Sequence, residues 1–183
     1  MTALVLVGPP GALVAEVAAL LSERHQMPYV TTDDVIEAVT GTPISDVAVY
    51  GGADDMRTLE RSVAVALLHD LEDGRILALG SGCLGESVTD EFFAPVRTEL
   101  VHARDEGAVV VHLTGDFSAL VRRVGLDGPR IASVSSPRKI FYQQLQVRTP
   151  LYAAVASYTV DTTGLDAAGA ASLVSDGVLT RPA

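Results

Sequence analysis

Short unbroken apolar runs alternate along this chain with longer stretches in which apolar residues return every three or four positions. The runs lie at residues 4–7 (LVLV), 76–79 (ILAL), 109–113 (VVVHL) and 158–161 (YTVD). None shows the inside-outside alternation of a sheet with one wet face, so they read as buried parallel strands. Helical spacing covers residues 13–24, 54–71, 89–104, 117–124, 137–156 and 165–179. Ser136-Pro137 suits a helix opening, because Ser can accept from free backbone N–H groups and Pro at the first helical position loses no hydrogen bond. Gly74 and Gly107 suit helix closures. Alternating strands and helices predict a three-layer α/β/α sandwich whose ligands bind beyond the carboxyl ends of the strands. A chain of 183 residues fits one domain, taken as residues 1–179, followed by a short tail at 180–183.

Composition narrows the function classes. With 48% apolar and 20% charged residues the chain can bury a core. Its 23 acids outnumber 13 Lys and Arg, and the net charge of -10 repels polyphosphate backbones, so no nucleic-acid partner is expected. Cys83 is the only cysteine, which excludes an internal disulfide or a cysteine zinc cage. The apolar start lacks the basic opening of a signal peptide, and Pro9, Pro10, Gly11 and Glu16 interrupt it too early for a membrane span. The expectation is a cytoplasmic protein with no membrane partner. His25, His69, His102 and His112 are scattered, so no metal site is expected. Cys83 sits in a Gly-rich turn and reads as inert packing. Residues 122–148 hold six of the 13 cations against one acid, Asp127. This segment is either a set of solvated helix faces or a site for a small anion.

The first run leads into Gly8-Pro9-Pro10-Gly11-Ala12-Leu13-Val14-Ala15-Glu16, where a nucleotide-binding α/β protein places the phosphate loop GxxxxGK[ST]. Only its first half is present. The second Gly, the Lys that reaches the β/γ oxygens and the hydroxyl that holds Mg²⁺ are replaced by Leu13, Val14 and Ala15. A left-handed Leu costs about 1–2 kcal/mol, so the phosphate-cradling curl is expected to be disfavoured as well as stripped of side-chain ligands. Glu16 adds negative charge beside the loop, and Lys139 is the only lysine available to compensate.

Several further segments carry a resemblance. Residues 30–37 (VTTDDVIE) resemble LDTDxxIE, and Thr40-Gly41 with Ile44-Ser45-Asp46-Val47 resembles TGxSIxDIF. Gly52, Met56-Arg57 and Glu60 follow GExxFRxxE, and Leu79-Gly80-Ser81-Gly82-Cys83 stands where LGGGA is found. Arg148-Thr149-Pro150-Leu151-Tyr152, followed by Val160-Asp161-Thr162, resembles RxPLY...VDT. In this order over about 160 residues, they are similar to the shikimate kinases, P-loop kinases that transfer the γ-phosphate of ATP to a hydroxyl of shikimate. The resemblance implies a P-loop kinase-like fold with a mainly parallel five-stranded sheet.

It also implies two half-sites. In the acceptor half, Asp33 falls on the Asp that binds the shikimate hydroxyls and assists the attacking one. Arg57 and Arg148 fall on the carboxylate clamp, and Gly80 and Gly82 fall on the backbone beside the ring. Read singly, Asp33 could merely cap a helix, and either arginine could pair with Glu60 or another surface acid. In the donor half (Gly8, Gly11, Leu13, Val14, Ala15) the family's Mg²⁺-organising Asp is Thr31 here. Arg130 matches a phosphate-contacting arginine in a lid at about 125–136. The expectation is therefore a binding or regulatory pseudo-kinase for shikimate or a similar small carboxylate, with no cofactor, and with an active kinase or pathway enzyme as a candidate partner. Two alternatives stay open: an active ATP:shikimate 3-phosphotransferase using ATP and Mg²⁺, with Asp33 and Arg130 catalytic, and a structural partner with a vestigial pocket.

Overall fold

The structure is a computed structural model that describes residues 2–50, 52–128 and 137–179. Arg130, Ser136, most of the proposed lid and the tail at 180–183 lie outside the described residues. Five strands, β1 (Leu4–Val7), β2 (Tyr29–Thr31), β3 (Ile76–Ala78), β4 (Val109–Thr114) and β5 (Tyr158–Asp161), form one sheet in the order β2-β3-β1-β4-β5. All neighbouring strands are parallel, with Leu4 opposite both Ile76 and Val109. The helices are α1 (Val14–His25), α2 (Thr32–Thr40), α3 (Ile44–Tyr50), α4 (Ala53–His69), α5 (Ala94–Asp105), α6 (Phe117–Arg123), α7 (Pro137–Val155) and α8 (Ala167–Val174).

The unalternating strand pattern has a direct cause: both faces of the central strands are covered. Leu4, Leu6, Val111 and Leu113 pack on one side with Val17 and Leu21 of α1 and Ala171 and Val174 of α8. Val5, Val7, Leu77 and Val110 pack on the other with Leu68 of α4, Leu100 of α5 and Leu151 and Tyr152 of α7. β5 departs from the expectation of a buried strand, since as an edge strand it leaves Tyr158 and Thr159 exposed.

Three elements were invisible to periodicity. β2 has only three residues and an exposed Tyr29, while α2 and α3 lie in segments read through their motifs rather than through apolar spacing. The stretch at 89–104 divides into a 3₁₀ turn, Glu91–Phe93, and α5, whose first turn contains Pro95. Gly107, at φ 110°, follows α5 and donates to the Arg104 carbonyl at 3.0 Å, as expected of a closure. Gly74 does not close α4, which ends at His69, but lies in the turn into β3. No helix among the described residues is long and apolar enough to cross a membrane.

Candidate functional site

The carboxyl ends of the adjacent strands β1, β3 and β2 deliver Gly8, Leu79-Gly80 and Thr31 to one place, as a doubly wound sheet requires. With the loop of residues 8–16, Asp33 and Ser81, they line a cavity of about 190 Å³.

The loop corrects one expectation. Leu13 does take the left-handed conformation, φ 68° and ψ 29°, so the curl is kept without glycine. Its side chain and that of Val14 pack against the core, and the Leu13 carbonyl accepts from the Val17 amide at 2.9 Å, which starts α1. Apolar contact and the first helical bond together offset the left-handed penalty of about 1–2 kcal/mol. Gly11, at φ 81°, must be glycine on packing grounds alone, because a methyl there would come within 2.9 Å of the Leu120 carbonyl oxygen. Arg123, which sequence reasoning grouped with possible anion ligands, instead fastens this loop. It donates to the carbonyl of Gly11 at 3.0 Å, to the hydroxyl and carbonyl of Thr162 at 2.8 and 2.6 Å, and to the carbonyl of Leu165 at 2.9 Å. The curl is thus held by protein groups, while Val14 and Ala15 present no cation and no hydroxyl to the cavity. These residues do not fit an Mg²⁺-nucleotide as the family's loop does.

Asp33 does not cap α2, because Thr31 does. The Thr31 hydroxyl caps α2 by accepting from the Asp34 amide at 2.9 Å. Thr32 ties this corner to the next strand: its hydroxyl accepts from the Gly80 amide at 2.7 Å and lies 3.3 Å from Asp33 Oδ1 as donor. A methyl on Gly80 would sit 2.7 Å from Asp33 Oδ1, so glycine there permits the close approach. Burial raises the Asp33 carboxyl above its ordinary value, Thr32 opposes this, and Asp34 and Glu37 push the same way as burial.

Glu60 of α4 is the group the sequence reading undervalued. It lies against Gly82, where an added methyl would approach Glu60 Oε2 to 2.6 Å. Burial raises its carboxyl, the Asp33 charge raises it further, and Arg148 and Arg57 act against both. Asp33 thus feels the charges of Asp34 and Glu37 on its own helix, and Glu60 on α4 feels that of Asp33. Position 60 in the GExxFRxxE-like segment was its only sequence signal.

Arg57 and Arg148 do converge, and on acids other than Glu60. Arg57 Nη2 donates to both carboxyl oxygens of Asp90, at 3.2 and 3.0 Å, and Arg57 Nη1 lies 3.7 Å from Glu86 Oε1. Arg148 Nη2 lies 3.8 Å from the same Glu86 oxygen. Arg148 Nε is buried with no hydrogen-bond partner. The turn that carries Glu86 is fixed by Tyr152, whose hydroxyl donates to the Ser81 carbonyl at 2.7 Å, and by Arg97, which donates to the Leu84 and Asp90 carbonyls at 2.9 Å each. Beneath Tyr152 stacks His112, buried with neither ring nitrogen hydrogen-bonded and pushed down to about 4 by desolvation. Cys83 is fully buried and its thiol is pushed far up by burial, in keeping with inert packing.

A family model described as Shikimate kinase matches residues 11–176. Proteins named shikimate kinase from Salinispora arenicola and Salinispora tropica are 36% and 39% identical over 160 residues, covering 87% of this chain and 87% of each relative. Among solved structures, a shikimate kinase from Acinetobacter baumannii in complex with shikimate superposes with a TM-score of 0.79 at 28% identity, over 98% of this chain and 94% of that one.

Proposed function

Because the chain belongs to the shikimate kinase family, we propose that it binds a shikimate-like hydroxylated carboxylate between Asp33, Arg57 and Arg148 without the family's ordinary MgATP turnover. The observation that carries the second clause is the loop, whose cradle is preserved in backbone while Leu13, Val14 and Ala15 leave it without cation or hydroxyl. Phosphoryl transfer rests on charge neutralisation, and loss of one such group costs on the order of 10²- to 10³-fold. Here the loop Lys, the loop hydroxyl and the acid at Thr31 are missing together.

On the acceptor side, the two guanidiniums supply forked donors for a carboxylate. Asp33, raised by burial, accepts from a ligand hydroxyl, and glycine at 80 and 82 lets the Asp33 and Glu60 carboxylates lie close to the backbone. The shikimate held by the Acinetobacter baumannii relative supports this ligand class.

A second reading is an active ATP:shikimate 3-phosphotransferase with Asp33 as the base that takes the hydroxyl proton. The named relatives and the preserved curl favour it, whereas the loop chemistry favours the first. Shikimate-dependent ADP formation in the presence of MgATP separates the two. The first reading expects none above background; saturable ADP production abolished by Asp33→Asn establishes the second.

A further inference from the structure

The clamp arginines are already occupied by the protein's own acids, and the two occupants differ in kind. Asp90 is an integral partner: its side chain accepts from Arg57 at 3.0 and 3.2 Å and from the Glu86 amide at 3.1 Å. Its carboxyl is held below the ordinary value by those bonds and the Arg57 charge, which outweigh burial. Glu86 is a loose one. Its carboxylate is 67% exposed and approaches both arginines through a single oxygen, at 3.7 and 3.8 Å, beyond hydrogen-bonding distance. Arg148, only 16% exposed, meanwhile keeps a buried Nε without a partner. The backbone aims Glu86 there: Gly85 is left-handed at φ 88°, and a methyl on it would meet Asp90 Oδ2 at 2.8 Å.

Resting on the acceptor-pocket reading above, we propose that Glu86 is an internal competitor for the carboxylate clamp, a side chain that a carboxylate ligand must displace to reach Arg57 and Arg148. Two arginines here face three acids, Glu60, Glu86 and Asp90. With Glu86 in place the acids outnumber the guanidiniums; when Glu86 swings into solvent, a movement its exposure allows, the charges balance and both forks open to a ligand. A loose, exposed pair is cheap to break, while an incoming carboxylate can form short hydrogen bonds to both forks. Glu86 thereby sets affinity for anionic ligands and favours those that can hold both arginines at once.

Calorimetric titration with shikimate of the full-length protein and of Glu86→Gln tests this, alongside the thermal shift each shows with sulfate as a simple anion probe. Shikimate is expected to bind Glu86→Gln about fivefold tighter, the effect of removing one exposed ion pair. Sulfate is expected to stabilise the variant more than the parent, and Arg57→Ala in the variant to remove that gain. Equal shikimate affinity in parent and variant overturns the role of Glu86 and leaves the shikimate pocket standing. Absence of shikimate binding with an enhanced, Arg57-dependent sulfate shift supports Glu86 as competitor and removes shikimate as ligand. No shikimate binding and no enhanced sulfate shift overturns both.

Discussion

The loop after β1 and the arginine-bearing turn beyond β3 contrast on one scaffold. At the end of β1 the backbone shape survives and the side-chain chemistry is gone: Leu13 holds the curl at φ 68°, but Val14 and Ala15 offer nothing charged. Beyond β2 and β3 the charged side chains are present and paired within the protein, with Arg57 bonded to Asp90 and Glu86 suspended between both arginines. The loop keeps its backbone shape without the lysine and hydroxyl, because Leu13 packs on the core and Arg123, anchored on Thr162 and Leu165, donates to the Gly11 carbonyl.

The sharpest way to break this contrast is to rebuild the poor half. Leu13→Gly, Val14→Lys, Ala15→Thr and Thr31→Asp together return the missing groups, and Asp at 31 can still cap α2. Shikimate-dependent ADP formation is expected to rise by on the order of 10²- to 10³-fold over the parent, read in a coupled assay. An unchanged rate would place the defect outside the loop. In the acceptor half, Arg57→Ala or Arg148→Ala is expected to weaken shikimate binding by about 1.5–3 kcal/mol, roughly 10- to 150-fold, by titration calorimetry. Equal affinity in both variants would dissolve the clamp.

Next in size is an effect on stability. His112 is buried with its folded value lowered to about 4 from 6.5, so between those values the unfolded chain binds more protons than the folded one. Stability is therefore expected to fall as pH drops from about 6.5 to 4, by up to about 3 kcal/mol from this residue. Asp33 and Glu60 are raised instead, so they contribute stability that falls as pH rises through their range. The informative quantity is the difference between parent and His112→Leu in denaturant titrations at several pH values: the variant should lose the acid-side decline. Parallel curves would mean that the imidazole is solvated.

The smallest effect is expected at Gly82. A methyl there collides with Glu60, a side chain that can shift, so Gly82→Ala should weaken shikimate binding less than either arginine variant. A larger loss would mean that Glu60 itself holds the ligand.

Much of this architecture was legible in the chain. Unalternating runs such as LVLV follow from a sheet covered on both faces, and β1 is buried at all four positions. Asp33, Arg57 and Arg148 were named through motifs; the structure sets Asp33 at the cavity and brings Arg57 and Arg148 to the turn that carries Glu86. What escaped had physical reasons. β2 is too short to show a period, and Tyr29 is exposed. The curl at Leu13 was misjudged because a local backbone penalty was weighed without the tertiary packing that offsets it. Arg123 was misread because charge clustering in sequence says nothing about which carbonyls a guanidinium will meet. Glu86 and Asp90 belong to no motif; only the folded turn puts them against the arginines.

The central proposal is that the Asp33 and arginine side binds while the loop side does not support transfer, and a single calorimetric cell tests it. Shikimate is titrated into the full-length protein, and MgATP is then added while ADP is followed. The account predicts saturable heat from shikimate that is lost in Arg148→Ala, with no sustained heat and no ADP after MgATP. Continuous heat with stoichiometric ADP and shikimate phosphate would contradict it.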